Sequence, residues 1–157
     1  MKKILDVMER FLVLRIKQVL EELEIEYYDN GEGMIGFTTS QVDIIFEAEE
    51  DGLDYRLQVK KEVPAQCLED VLWYLNQANL TIRKGHWELD GKRVCFRIHT
   101  DLVVNKEVSE KRIYEVLQRG EAAAEKFYEG IMMICTEGFS GPEAFEEFVV
   151  KKLTECK

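Results

Sequence analysis

The 157-residue sequence predicts an α+β fold, an antiparallel five-stranded sheet with helices packed mainly on one face in the order α-β-β-β-α-β-β-α-α. Three observations carry it. Apolar residues recur three or four apart near both ends and in the middle of the chain, the helical period. Between these stretches apolar and polar residues alternate singly, the period of a half-buried strand. Two turn signals, Glu49-Glu50-Asp51-Gly52 and Asp90-Gly91, lie between alternating runs and join them as hairpins. Grouped strands and grouped helices, rather than strict alternation, favour an antiparallel sheet.

Residues 2–24 open the chain as an amphipathic helix, with Ile4, Leu5, Met8, Phe11, Leu12, Val19, Leu20 and Leu23 as its apolar positions. From Leu12 to Ile16 this helix is apolar nearly all round, which predicts packing on two sides, against the domain and against a second copy of it. The turn cluster Asp29-Asn30-Gly31-Glu32-Gly33 leads into a short strand near Met34 to Phe37. A hairpin follows: Val42, Ile44, Phe46 and Ala48 alternate with Asp43 and Glu47, then Leu53, Tyr55, Leu57 and Val59 with Arg56, Gln58 and Lys60. Pro64 suits a first helical turn, and Leu68, Val71, Leu72 and Leu75 continue a helix from Pro64 to Gln77. Strands from Leu80 to Leu89 and from Lys92 to His99 flank Asp90-Gly91 as a type I′ hairpin, with a bulge at Gly85. The third helix takes Ser109 as N-cap, staples Val108 onto Ile113, and ends near Gly138. Ser140-Gly141-Pro142-Glu143 is a capping-box pattern for a last helix whose apolar side carries Phe145, Phe148, Val149 and Leu153.

Composition bounds the function. With 46% hydrophobic and 33% charged residues the chain reads as ordered, and residues 1–157 read as one domain, since no linker or repeat divides them. A net charge of −10, from 31 acidic against 21 basic residues, repels phosphate backbones and anionic lipid, so neither nucleic acid nor a membrane is an expected partner. The N-terminus has no signal-peptide apolar region and no membrane span follows, which makes the cytoplasm the expected compartment. Cys67, Cys95, Cys135 and Cys156 lack metal-ligand spacing and are expected as free thiols, the first three buried.

No constellation points to catalysis, a cofactor or a metal, so the expected assignments are no catalytic, cofactor-binding or metal-binding residue and no enzymatic activity. His99, Thr100 and Asp101 are adjacent, but neighbours on a strand point to opposite faces. The acidic pairs Glu21-Glu22, Glu49-Glu50-Asp51 and Glu146-Glu147 read as solvated, and no EF-hand spacing is present. Gly31, Gly33 and Gly36 cluster without a phosphate-loop pattern. Met132-Met133 with Phe127, Tyr128, Phe139, Phe145 and Phe148 read first as core, and second as the lining of a groove for a partner peptide.

The stretches Leu75-Asn76-Gln77-Ala78-Asn79-Leu80, Gly85-His86-Trp87-Glu88-Leu89-Asp90-Gly91 and Phe96-Arg97-Ile98-His99-Thr100-Asp101-Leu102 resemble the YbjN family. The resemblance covers roughly residues 15–135 and leaves the helix of residues 141–156 as an extension. It implies a fold like that of type III secretion chaperones, binding of other proteins or a regulatory role rather than catalysis, and a homodimer. Asn76 and Asn79 are expected to bond their own backbone and end the second helix. The alternative function is a regulatory domain that binds a small ligand between sheet and helices.

Overall fold

Single-residue alternation becomes a six-stranded antiparallel sheet in the order β1-β2-β3-β4-β6-β5. The computed structural model of the chain describes residues 2–101 and 109–155. Helix α1 (Lys2–Glu22) precedes β1 (Tyr28–Asp29), β2 (Met34–Thr38), β3 (Val42–Ala48) and β4 (Gly52–Val59). A single 3-10 turn (Ala65–Cys67) opens α2 (Leu68–Thr81), followed by β5 (His86–Asp90), β6 (Arg93–Asp101) and α3 (Glu110–Glu137). Helix α4 (Gly141–Phe145) runs through a π-helical segment (Glu146–Val150) into α5 (Lys151–Glu155).

Pairing register sorts the two sheet faces. Val42↔Val59, Ile44↔Leu57 and Phe46↔Tyr55 across β3 and β4, and Tyr55↔Ile98 and Leu57↔Phe96 across β4 and β6, point their side chains to the helices. The intervening positions, Asp43↔Gln58, Glu47↔Asp54, Asp54↔His99 and Arg56↔Arg97, form the outer face. Helices α1, α2 and α3 supply Ile16, Leu20, Val71, Tyr74, Ile113 and Phe127 to the core over the inner face, all fully buried. Each such side chain contributes about 1.5–3 kcal/mol by leaving water.

Two close approaches seat α3. A Cβ on Gly120 would lie 2.0 Å from the Tyr55 hydroxyl of the sheet, and one on Gly130 would lie 2.2 Å from the Tyr74 hydroxyl of α2. Glycine is therefore required at both places for the helix backbone to reach the rings. Tyr74 also donates its O–H to the Phe127 carbonyl at 3.0 Å, so that hydroxyl is satisfied where it is buried.

The predicted class, the three-strand meander, and the capping of α3 and α4 are all observed. Ser109 Oγ accepts from Arg112 N, Gly138 caps the other end in the left-handed region at φ 71°, and both bonds of the Ser140–Glu143 capping box are made. Several expectations are corrected. The sheet has six strands because Tyr28–Asp29 pairs with Gly36 and Ile35, a ladder too short to carry a period. Asn30 Oδ1 holds the connecting turn by accepting from Glu32 N and Met34 N. Helix α2 continues to Thr81, so Leu80 is helical and β5 starts only at His86. The β5–β6 loop is Gly91-Lys92, since Asp90 pairs with Arg93. Gly91 has φ 60° in the first central position while Lys92 has no positive φ, the II′ pattern rather than I′. Gly85, at φ 85°, leads into β5 and is not a bulge within it. In the last helix Val149 is buried but Leu153 is half exposed, displaced from the apolar stripe by the π segment. On α1, Leu12, Ile16, Val19 and Leu20 are buried whereas Phe11 is exposed, as is Leu23 just past the helix end. The side chains of Ile4, Leu5 and Met8, and the whole of Leu102, Val108 and Cys156, lie outside the described residues.

Candidate functional site

Between the inner face of β2–β4 and the middle of α3 an apolar groove of about 660 Å³ remains. Its floor is built from the sheet, with Ile44, Tyr55 and Leu57, and its helical wall from Leu117, Ala124 and Tyr128 at i, i+7 and i+11. Leu23 and Ile25, just past the end of α1, close one side, and the β2–β3 turn, Thr39 to Gln41, closes another. Glu121, Glu125 and Glu129 line the rim one turn apart. Glu129 is held by Lys152, while Glu121 and Glu125 make no ion pair with another described residue. Burial pushes the Tyr55 hydroxyl well above the ordinary phenol range, and the negative charge of Glu121 adds to the shift, so it stays a neutral donor facing this groove.

Of the residues expected to form a groove, Tyr128 lines this one and Phe127 is core, at 1% exposure. Phe139 and Phe148 stack on each other at 5.7 Å, and Phe145 packs edge-on against Trp73 and Tyr74 at 6.2 and 5.9 Å. Phe145 seals α4 onto α2, and none of these rings lines the groove. Sequence reasoning missed the floor and rim because Ile44, Leu57 and Glu121 each follow an ordinary strand or helix pattern; the groove arises from a gap between elements.

The outer sheet face is polar and ion-paired. Asp54, 8% exposed, sits among Arg56 at 3.8 Å, Arg97 at 3.6 Å and His99 at 4.0 Å. Burial raises its carboxyl above the ordinary range despite those neighbours. The facing pair Arg56↔Arg97 would repel. Glu47 at 3.6 Å from Arg56 and Glu88 at 3.3 Å from Arg97 offset this. Carboxylate oxygens of Glu47, Glu49 and Asp54 lie within 4.8 Å of one another, a spacing that could hold a cation. Arg56 already engages Glu47 and Asp54, Arg97 also reaches Asp54, and desolvation holds the Glu49 carboxyl above its usual range.

His99 and Thr100 diverge as alternation requires: His99 is exposed on the outer face and Thr100 is buried on the inner one. His86 lies 3.3 Å from Glu88. Cys95 is fully buried, and burial pushes its thiol up to about 11; Cys67 and Cys135 are only half-buried, a correction to the expected burial of both. Asn79 does not bond its own backbone. Its Nδ2 donates to the Trp87 carbonyl at 2.9 Å and its Oδ1 accepts from Trp87 N at 2.7 Å, tying α2 to β5. Asn76 is exposed in mid-helix and ends nothing.

The family described as "YbjN: Putative bacterial sensory transduction regulator" matches residues 13–132. The chain belongs to the YbjN family. The match to YbjN runs from α1 through most of α3, and therefore takes in the groove and both tyrosine–glycine contacts, while α4 and α5 fall outside it. No curated protein matches the chain. Among solved structures it is similar to YbjN of E. coli, described as a "putative transcription regulator", with TM-score 0.55 and 10% identity over 78% of this chain and 87% of that one. It is also similar to the Yersinia pestis type III secretion chaperone SycH, solved with a stable fragment of YscM2, with TM-score 0.51 and 15% identity over 72% of this chain and 97% of SycH. The YbjN fold is thus chaperone-like, as the motif resemblance implied. Among the described residues no helix is long and apolar enough to cross a membrane.

Proposed function

We propose that this YbjN-family chain is a non-enzymatic protein-binding module of chaperone-like or regulatory type, and that it works as a homodimer. The observation that carries the reading is the groove of about 660 Å³ between the apolar inner face of the sheet and α3. A segment of a partner protein with apolar side chains for Leu23, Phe37 and Tyr128, flanked by Lys or Arg to meet Glu121 and Glu125, has the chemistry to fill it. The similarity of fold to SycH, a chaperone solved with a protein fragment, supports a protein partner. Val7, Phe11 and Leu14, exposed at i, i+4 and i+7 on α1, make a second apolar stripe turned away from the core, which supports self-association through that helix.

Ala124→Trp tests the groove, because it fills the space from the helical wall, and circular dichroism checks that the core against which Ala124 packs is retained. Affinity purification with the wild-type chain is expected to retain a protein partner that the A124W chain loses. Retention of the same partner by both chains, or of none by the wild type, would overturn the reading.

A further inference from the structure

The described residues gather positive charge at one place in this acidic protein, a cleft of about 440 Å³ where the first turns of α3 meet the open corner of the sheet. Lys84, Arg97, Arg112 and Arg119 line it together with the only two histidines of the chain, His86 and His99. Among the described residues Asp101 and Glu115 are the carboxylates of its lining, and Glu88 and Asp54 reach Arg97 and the histidines from the outer sheet face. On a chain of net charge −10 a local excess of cations is not what a uniformly solvated surface would show.

We propose that this cleft binds the phosphate group of a small phosphorylated molecule. Three features argue for it. On the helix, Arg112, Glu115, Val116 and Arg119 fall at i, i+3, i+4 and i+7, a single face. Arg112 lies in the first turn, three residues past the Ser109 cap, where the partial positive charge of the helix N-terminus adds to the side chains. On the sheet, β5 pairs with β6 only as far as His86↔Arg97, so from Ile98 onward β6 borders the cleft instead of a strand. Gly85 draws the Lys84–His86 backbone tight to β6, since a Cβ there would lie 2.5 Å from the Phe96 ring.

The charges differ in their freedom. Arg97 is engaged by Glu88 at 3.3 Å and Asp54 at 3.6 Å, and Arg112 by Glu115 at 3.2 Å, which fixes their positions. Lys84 and Arg119 are exposed and make no ion pair with another described residue. These two cations are available to a ligand, one from each wall. A phosphate monoester presents a dianion with three equivalent oxygens to the guanidinium fork of Arg119 and the ammonium of Lys84, where a carboxylate offers one charge and two oxygens. The volume lies in the range of small-molecule sites, about 300–1,000 Å³, and exceeds a bare phosphate, with Ile98 and Val116 as apolar lining for an organic body. The site is separate from the groove proposed for a protein partner, and either can fail without the other.

Isothermal titration of the full chain with inorganic phosphate, pyrophosphate and adenosine monophosphate tests the inference at low salt. Saturable one-to-one binding of at least one probe is expected, weakened at least about tenfold in Lys84→Ala/Arg119→Ala and in Arg119→Glu. Lys92→Ala, which removes a charge at the distant β5–β6 turn, is expected to bind as the wild type does. Absence of saturable binding by all three probes up to about 10 mM overturns the inference, as does equal binding by the Lys84 and Arg119 variants or equal weakening by Lys92→Ala. Circular dichroism of each variant confirms that the fold is retained before titration.

Discussion

The side-chain amide of Asn79 grips the Trp87 peptide from both sides, donating to its carbonyl at 2.9 Å and accepting from its N–H at 2.7 Å. It acts as a strand neighbour for β5, which lies at the edge of the sheet. Asn79→Ala leaves one donor and one acceptor without partners beside a buried indole, at about 1–3 kcal/mol each. Urea unfolding is expected to show a loss of about 2–4 kcal/mol, while Asn79→Asp, which keeps only the acceptor, loses less.

The contact of Gly120 with Tyr55 makes a coupled pair. Gly120→Ala places a methyl where the Tyr55 hydroxyl now sits, with an overpacking cost of about 1–3 kcal/mol. In Tyr55→Phe the oxygen is gone, so a double-mutant cycle is expected to give a favourable coupling of about 0.5 kcal/mol or more. Additive losses would mean that the helix shifts rather than clashes.

Reactivity of the thiols follows from burial. The Cys95 and Cys135 thiols are both pushed up to about 11, first by desolvation, so their thiolates are scarce near neutral pH. Iodoacetamide labelling of the native chain at pH 8, read by mass spectrometry, is expected to spare both and to modify them on unfolding. The same raised value makes their contribution to stability complete below an ordinary thiol value of 9.0 and lost as pH rises through about 11.

Self-association is expected to run through α1. Light scattering should give about 37 kDa, twice the chain mass of 18.4 kDa, and Phe11→Glu should return the chain to 18.4 kDa. Because Phe11 is 59% exposed, this change should leave the thermal midpoint of the monomer unaltered. A monomer at high concentration in the wild type would remove the homodimer from the proposal.

Much of the fold was legible because each of its major elements repeats its own period: the alternation of residues 42–59 predicts which side chains of β3 and β4 are buried, and Ser109, Gly138 and Ser140 mark helix ends. The failures are local contests. Leu80 and Thr81 suit either helix or strand, and the bond from Thr81 Oγ1 to the Ala78 carbonyl belongs to a continuing helix. The hairpin shifted by one residue because the Asp90↔Arg93 pair leaves Gly91 in the first loop position. An opening between sheet and helices was foreseen for a small ligand, and a partner groove on the uncovered side of the sheet, whereas the groove lies on the inner face beside α3; the cations of the basic cleft were not foreseen at all. Its cations stand at 84, 97, 112 and 119, singly and far apart, and only the tertiary fold brings them together.

The two glycine notches of α3 have a mechanical consequence. Ten residues separate Gly120 from Gly130, about 15 Å along the axis, and one notch rides on the sheet while the other rides on α2. A shaft keyed at two points to two different supports can neither roll nor slide, so the wall carrying Ala124 and Tyr128 holds its distance from the sheet. Whatever enters the opening between them must fit a jaw of fixed gape, and selectivity there is a matter of gauge more than of adjustment.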